Sequence, residues 1–208
     1  MAYHTIEQGE HLARVAQKYG FRNYQTIWDR PENKELKEKR LNPNVLFPGD
    51  RLFIPEKQVK KEARPTNKSH RFKISLPKIM LRLAVRDLDS RPIANTPCKL
   101  VVEGKTYPLT TDGNGKIEQL IPATAESGKL TIGELEVPIK IGHLDPVDEI
   151  TGWTARLNNL GYHAGSATDP ADAQIRSAVE EFQCDYGLTV DGVCGPATQG
   201  KLKEIHGC

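Results

Sequence analysis

Hydrophobic residues recur with a different period in each third of the chain, and the first third combines strand and helix patterns. Residues 3–6 alternate as in a β-strand. A helical face follows, formed by Leu12, Val15, Ala16 and Tyr19. Gly20 is a helix stop signal, residues 27–41 show a second helical stretch, and residues 51–55 form a closing strand. This pattern predicts a βααβ module.

Short runs with β-strand composition dominate the middle of the chain. The predicted strands cover residues 72–76, 81–85, 99–102, 116–120, 129–132 and 137–141. Turn signals separate these runs, and the clearest of them is Asp112-Gly113-Asn114-Gly115. Strands of this length and spacing predict a small antiparallel β-sandwich.

The helical period returns towards the C-terminus. Two apolar faces are formed by Ile150, Trp153, Leu157 and Leu160, and by Ile175, Ala178, Val179 and Phe182. Gly161 and Gly187 end these helices, and Pro196 begins a short third one, which predicts a three-helix bundle. The chain is therefore predicted to be a multidomain α+β protein. Its predicted segments are a module over 1–56, a basic linker over 57–71, the β-sandwich over 72–146 and the bundle over 147–208.

Composition restricts the classes of partner. Of the 208 residues, 38% are hydrophobic and 27% are charged, and the mean hydropathy of −0.53 is typical of a folded globular chain rather than a membrane protein. A formal net charge of only +2 gives no strong field, which argues against nucleic acids and membrane surfaces as partners. The first residues lack the basic and apolar regions of a signal peptide. We therefore expect synthesis in the cytoplasm and, for a protein of the cell wall or periplasm, non-classical export or transport in a particle.

The first module resembles a known glycan-binding family. The motif Gly-Glu-x-Leu over 9–12 precedes Val-Ala-x-x-Tyr-Gly over 15–20, and Asn-Pro-Asn-Val-Leu-Phe-Pro-Gly-Asp-Arg-Leu-Phe-Ile-Pro closes the module over 42–55. Together these motifs resemble the LysM family across the whole module. The sequence departs from the family at His11, where many members carry a small hydroxyl residue, and over 30–40, which is longer and more charged.

The resemblance implies a shallow groove that binds chains containing N-acetylglucosamine. Backbone polar groups would match the acetamido groups, and apolar side chains would cover the sugar faces. One wall would be formed by Gly9, Glu10, His11 and Leu12, and the other by Asn44, Val45, Leu46 and Phe47. For Leu12, Val45 and Leu46, a place in the core is the alternative.

The C-terminal segment resembles the peptidoglycan-binding domain that often accompanies wall hydrolases. The resemblance is carried by residues 155–162, 178–183 and 186–198, whereas the loop over 165–172 departs from the family's Asp-Gly-x-x-Gly turn. It implies ligand contacts from Tyr162, Gln183 and Tyr186. The turn residues Asp191, Gly192, Gly195 and Pro196 are interpreted as structural.

The middle segment resembles carboxypeptidase-regulatory-like and transthyretin-like sandwich domains. The resemblance is carried by Arg-Pro-Ile-Ala-Asn-Thr-Pro over 91–97 and by Thr-Thr-Asp-Gly-Asn-Gly-Lys-Ile over 110–117. It implies a spacer or docking domain in which Asp112 and Asn114 shape a turn. A calcium site at these two residues is the alternative, although such a site needs more oxygen ligands than they supply.

The sequence contains no recognisable catalytic set. The six histidines are isolated, without HExxH, and no cysteine pair has the spacing of a zinc site, so we expect no cofactor and no metal. Cys184 and Cys194 form either a disulfide after export or two separate thiols. The terminal His206-Gly207-Cys208 is similar to the His-Gly-Cys of L,D-transpeptidases, but no sheet-forming sequence follows it, and we do not interpret it as catalytic.

These observations predict bivalent peptidoglycan binding without catalysis, which would anchor a partner or particle to the bacterial wall. The combination of modules suggests a contractile injection apparatus of the type VI secretion kind, or a phage-derived system. One alternative is an adaptor or chaperone that binds a secreted toxin or spike through the middle segment. Another is a wall-degrading effector.

Overall fold

The computed structural model of the protein describes residues 2–58, 61, 63–71, 76–87, 89 and 91–207. Within these ranges it has six α-helices and several antiparallel sheets, arranged around three separate hydrophobic cores. We call the regions that contain these cores the N-terminal unit (residues 2–54), the middle unit (76–141) and the C-terminal unit (150–207). None of the helices in the described ranges is long and apolar enough to cross a membrane.

The N-terminal unit has helices between two paired strands. β1 (Ala2–Thr5) pairs antiparallel with β2 (Arg51–Ile54), and α1 (Leu12–Lys18) is the first helix. The predicted second helix is divided into α2 (Gln25–Trp28), a 3-10 helix (Pro31–Asn33) and α3 (Lys34–Lys39). The division occurs because a residue before proline disfavours helical geometry, and Arg30 is extended with a ψ of 138°. The order strand, helices, strand agrees with the prediction.

The middle unit contains two antiparallel sheets that share one core. β3 (Lys78–Ala84) pairs with β6 (Lys116–Pro122). The second sheet consists of β5 (Lys105–Thr110), β4 (Pro97–Val102), β7 (Ser127–Ile132) and β8 (Leu135–Lys140), in that order. Leu100, Ile117, Ile121 and Leu130 from the two sheets belong to the same buried cluster.

The sequence did not predict β5. Pro108 interrupts its run of strand-forming residues, and Pro138 stands in β8. Both strands lie at an edge of the four-stranded sheet, where a missing N–H costs no ladder hydrogen bond. The strand predicted at 72–76 cannot be compared, because residues 72–75 lie outside the described residues.

The C-terminal unit is a bundle of α4 (Ile150–Leu160), α5 (Ala173–Asp185) and α6 (Pro196–His206). The three predicted helices are confirmed. Gly161 ends α4 with a φ of 97°, in the left-handed region that glycine adopts without strain. Asp172 caps α5 by accepting hydrogen bonds from the amides of Gln174 and Ile175. The core lies between the helices and includes Trp153, Leu157, Phe182 and Leu202.

Two connections join the units. The described residues of the predicted basic linker, between β2 and β3, are exposed and contain neither helix nor strand. The segment from the end of β8 to the start of α4, residues 142–149, is different because it packs against the N-terminal unit. We call it the junction segment.

Candidate functional site

The first predicted wall of the glycan groove is buried. Glu10 is 7% exposed, His11 1% and Leu12 0%, and Gly9 is also buried. Leu12 belongs to the hydrophobic core of the N-terminal unit, so the core alternative describes its position. This wall begins at the turn after β1 and continues into α1.

Glu10 is held inside a polar network rather than presented to solvent. His4 Nε2 lies 2.6 Å from Glu10 Oε2, and Lys18 Nζ donates to Glu10 Oε1 at 2.9 Å. The backbone amide of Glu7 donates to Oε2 at 3.1 Å, and Tyr19 contacts the other nitrogen of His4. Burial acts to raise the pKa of Glu10, but the hydrogen bonds from Lys18, Glu7 and His4 outweigh it and leave the pKa below its usual value.

His11 takes the place of the small capping residue that begins many helices. Its backbone is extended, and its Nδ1 accepts from the Arg14 amide at 3.4 Å. Nε2 is buried and has no hydrogen bond of normal geometry among the described residues, although the backbone of Ala123 in the middle unit lies close enough to the ring to raise the pKa. Burial, followed by the positive charge of Arg14, lowers the pKa of His11 to about 4. The imidazole is therefore neutral at pH 7.

Residues of the middle unit and the junction segment cover this wall. A Cβ placed on Gly142 would lie 2.7 Å from the carbonyl oxygen of Gly9 and 3.1 Å from Cδ2 of His11. The His143 ring lies against Gly9, because a Cβ on Gly9 would be 3.0 Å from two atoms of that ring. Gly142 and Gly9 thus approach more closely than residues with side chains could.

Polar contacts extend this interface. Arg14 forms an ion pair with Glu126, and Gln8 Nε2 donates to Asp145 Oδ1 at 3.4 Å. A cleft of about 450 Å³ lies beside the interface, with a lining that is mostly charged or amide-bearing: Glu7, Gln8, Glu10, Arg14, Gln17, Lys18 and Thr124. It contains none of the aromatic rings that usually cover a sugar face.

The second predicted wall is partly open. Asn44 is exposed, Val45 and Phe47 are half-buried, and Leu46 is 4% exposed and belongs to the core. The two walls meet at their base, where the Leu12 amide donates to the Pro43 carbonyl at 3.1 Å. The predicted walls are therefore adjacent, but only the second one retains a surface open to solvent.

Arg40 connects this second wall to the junction segment. Its side chain is 1% exposed, and its Nε donates to Asp50 Oδ2 at 2.9 Å. Its two terminal nitrogens lie 3.3 Å from a carboxylate oxygen of Asp148 and 3.4 Å from one of Glu149. The guanidinium carbon also lies 5.6 Å from the centre of the Phe47 ring. Arg40 therefore pairs with one carboxylate inside the N-terminal unit and with two carboxylates of the junction segment.

In the C-terminal unit, the structure corrects the position expected for Gln183. This residue is 1% exposed, and its Nε2 donates to Asp191 Oδ1, the Val193 carbonyl and Thr198 Oγ1 at 2.8, 3.1 and 3.0 Å. Its Oε1 accepts from the amides of Asp191 and Gly192, both at 3.0 Å. Gln183 thus fixes the loop before α6 and is not positioned to reach a ligand.

Tyr162 and Tyr186 are half-buried and share a surface at one side of Phe182. Their rings lie 5.4 and 4.7 Å from the Phe182 ring, centre to centre. Tyr162 donates its hydroxyl hydrogen to Asp185 Oδ2 at 2.9 Å, and Lys201 Nζ lies 5.8 Å from the Tyr186 ring centre. Burial and then the bond to Asp185 raise the pKa of Tyr162 well above its usual value, so the hydroxyl remains protonated.

The turn residues and thiols have structural explanations where they are described. Asp112 Oδ1 accepts from the amides of Asn114 and Lys116, both at 2.8 Å, which agrees with the turn interpretation. Within the described ranges, no three metal-ligating side chains converge. Cys184 and Cys194 are separate thiols, and burial raises the pKa of Cys194 to about 12. Cys208 lies outside the described residues.

Comparison with known proteins gives a family for one part of the chain. Residues 154–202 match the peptidoglycan binding domain family, a range that contains Tyr162, Gln183 and Tyr186. The N-acetylmuramoyl-L-alanine amidase CwlM of Mycobacterium tuberculosis is 37% identical over 55 residues. That alignment covers 26% of this chain and only 14% of the amidase. No solved structure matches the chain.

Residues 154–202 therefore form a helical domain of the peptidoglycan-binding type. The interface between the N-terminal unit and the junction segment was not predicted. It joins residues more than 100 positions apart, such as Arg40 and Asp148, and a periodic pattern carries no signal for such pairs. Likewise, the sequence does not show why residues 9 and 142 are glycines. The structure does, because both lie in the close contact between the N-terminal unit and the junction segment.

Proposed function

We propose that this protein binds peptidoglycan without cleaving it. The C-terminal unit is its first wall-binding domain, and the N-terminal unit is a second, LysM-like glycan-binding module. The observation that carries the proposal is the family match over residues 154–202, which coincides with an intact helical bundle. Peptidoglycan is the partner that this domain implies.

The open surface around Tyr162 and Tyr186 supports this assignment of roles. Two tyrosines on one side of Phe182 offer flat apolar faces, and Asp185 and Lys201 beside them offer hydrogen-bonding groups. Ligand sites for sugars and peptides combine these two kinds of group. The covered wall at Gly9–Leu12 offers no such surface while the junction segment remains in contact with it.

Binding without catalysis is part of the proposal. Peptidoglycan cleavage by the usual routes needs a metal site, paired carboxylates or an activated nucleophile. The Cys194 thiol has its pKa raised to about 12, which disfavours a thiolate, and the described histidines form no metal cluster with carboxylates. The likeness to an amidase concerns a short part of that enzyme and does not transfer its activity.

A pull-down on insoluble peptidoglycan tests the proposal. We expect the full chain to sediment with purified sacculi while the turbidity of the suspension stays constant. Replacing Tyr186 by serine should weaken sedimentation roughly tenfold, which is the loss expected when one aromatic contact is removed from a site.

The matched control is Tyr107→Ser in the middle unit. Tyr107 is also half-buried, with Lys105 Nζ 4.9 Å from its ring centre, so it resembles Tyr186 in exposure and in having a lysine beside the ring. Equal loss in both variants would assign the effect to folding. Clearing of the suspension by the wild-type chain would contradict the non-catalytic role.

A second function is favoured by one surface of the middle unit. Met80 and Leu120 face each other across β3 and β6 and are 39% and 46% exposed. An apolar pair on a sheet face is a feature of protein contact surfaces. An adaptor for a secreted toxin or spike, within a contractile injection or phage-derived particle, would use this surface. Unchanged sedimentation of Tyr186→Ser, with loss of a protein partner in Met80→Lys, would favour this function.

A further inference from the structure

The contact between the N-terminal unit and the junction segment can separate without disturbing a hydrophobic core. The three cores are separate clusters, and each draws its residues from one unit and its immediate flank. The polar contacts of the N-terminal unit with the junction segment, and with Glu126 of the middle unit, are ion pairs and one side-chain amide hydrogen bond, and Gly9 and His11 pack closely against Gly142 and His143. Interfaces of this polar kind between domains usually permit relative motion.

The connection between β2 and β3 is long enough to permit this motion. It runs from residue 55 to residue 77, and its described residues are almost all exposed. An extended chain spans about 3.3–3.6 Å per residue, so a connection of this length can let the two units move apart by several nanometres. The junction segment can therefore be released while the chain stays intact.

The junction segment blocks the groove at its polar backbone groups. The Gly9 carbonyl, one of the backbone groups expected to match acetamido groups, faces Gly142 so closely that a Cβ added there would lie 2.7 Å from its oxygen. Arg14 Nη1 also donates to this carbonyl at 3.4 Å. Arg40, below the second wall, is occupied by Asp148 and Glu149. The junction segment thus covers the first wall and binds the arginine beside the second wall, whose surface stays open to solvent.

We propose that the junction segment is an intramolecular latch that excludes glycan from the N-terminal unit until the contacts at Gly142 and at Asp148 and Glu149 are released. The proposal rests on the glycan-binding role given above to the N-terminal unit. In the latched protein, only the C-terminal unit binds the wall. Release adds the second site to the same chain, and the two together raise the overall affinity.

The test uses the full chain and two variants that open the latch by different means. The first reverses three acidic residues that face Arg14 and Arg40: Glu126→Arg, Asp148→Arg and Glu149→Arg. The second, Gly142→Val, places a side chain against the Gly9 carbonyl without a change in charge. Opening is measured by hydrogen–deuterium exchange of the amides of residues 9–14. Binding of a soluble N-acetylglucosamine hexamer is measured by calorimetry.

The control variant carries the same three reversals at ion pairs inside the other two units: Glu118→Arg, Glu136→Arg and Glu180→Arg. These side chains are 60%, 58% and 44% exposed, compared with 62%, 58% and 31% for Glu126, Asp148 and Glu149. We expect both opening variants to show faster exchange and roughly tenfold tighter hexamer binding, because the fraction of molecules with an open groove limits the apparent affinity. The control should change in neither measurement.

Each other outcome has a separate meaning. Faster exchange with hexamer affinity equal to that of the wild type overturns the latch and leaves glycan binding by the N-terminal unit intact. Faster exchange without hexamer binding in any variant removes the glycan-binding role, and the latch with it. Wild-type exchange in both opening variants overturns the latch, because contacts that cannot be released cannot regulate access.

Discussion

The candidate binding residues of the N-terminal and C-terminal units differ in their exposure, and the match to the peptidoglycan-binding domain family covers those of the C-terminal unit. In the N-terminal unit, the wall from Gly9 to Leu12 is covered by the junction segment. In the C-terminal unit, Tyr162 and Tyr186 remain on a half-open surface. A motif therefore specifies a local backbone shape, whereas the neighbouring units decide whether a ligand can reach that shape.

The two units also use buried polar groups differently. Arg40 in the N-terminal unit is a buried charge neutralised by the Asp50 carboxylate. Arg156 in the C-terminal unit donates to the backbone carbonyls of Asp145 and Gly152. Both arginines nevertheless bind the junction segment, which is therefore a common support for the two units.

The largest expected effect comes from Arg40. Arg40→Met leaves the Asp50 carboxylate buried without its partner, and removal of one member of a buried pair costs about 3–5 kcal/mol in the free energy of unfolding. Urea denaturation followed by the fluorescence of Trp28, in a Trp153→Phe background, measures this loss in the N-terminal unit.

Two further variants sharpen the result. Lys37→Met removes a pair with Asp29 in the same unit, in which the two side chains are 49% and 57% exposed, and should cost below about 0.5 kcal/mol. Adding Asp50→Asn to Arg40→Met should recover part of the loss, since both charges are then absent. A loss below about 1 kcal/mol in Arg40→Met alone would show that the N-terminal unit does not depend on this buried charge.

A smaller loss is expected from Gln183. Gln183→Leu removes five hydrogen bonds, and we expect the C-terminal unit to lose about 2–3 kcal/mol because the amides of Asp191 and Gly192 lose their acceptor. The fluorescence of Trp153 in a Trp28→Phe background reports it. Gln199→Leu, which removes a single bond to the Cys194 carbonyl, is the control and should cost about 1 kcal/mol or less.

The same variant separates a positioning role from ligand contact. If Gln183 only supports the loop, sedimentation with sacculi should recover when the variant is assayed at a temperature well below its own unfolding transition. A binding defect that persists in the fully folded variant would restore Gln183 as a contact residue, as its sequence motif had implied.

Local patterns predicted most elements but not the state of the site. Helical periods with Gly161, Gly187 and Pro196 gave the three C-terminal helices, because helix termini are encoded within a few residues. Strand β5 was missed because Pro108 is compatible with a strand only at a sheet edge, and the sequence does not show which strands are edges.

The candidate site depended on contacts that local patterns cannot encode. Gln183 stands in a family motif, and a motif residue can equally bind a ligand or hold a loop, so only its five internal hydrogen bonds distinguish the two roles. His11 was recognised as a departure from the LysM family, and the structure supplies its physical reason. Its larger ring fills the contact with Gly142 while still capping α1.

The smallest effect is the dependence of the unfolding free energy on pH, which can be compared between the two units. Folding lowers the pKa of His11 from 6.5 to about 4. Above pH 6.5 the imidazole is neutral in both states and the folded structure keeps its full stability. As the pH falls from 6.5 towards 4, the unfolded chain binds a proton that the folded chain does not, and stability is lost. Between pH 7.5 and pH 5 the loss should be about 2 kcal/mol in the unfolding of the N-terminal unit. Besides burial, the groups that act on His11 are Arg14, which lowers its pKa, and the Ala123 backbone and Glu10, which raise it.

His11→Gln tests this, because glutamine cannot be protonated in this range and should make the stability of the N-terminal unit less dependent on pH. His206 in the C-terminal unit supplies the comparison, since burial and then Arg156 lower its pKa to about 4 as well. Its contribution should persist in His11→Gln and appear only in the Trp153 signal. If the unfolding free energy reported by Trp28 depended on pH equally in the wild type and in His11→Gln, His11 would not be the group that makes the N-terminal unit sensitive to acid. The difference between the two units would then rest on Arg40 and the glycine contact alone.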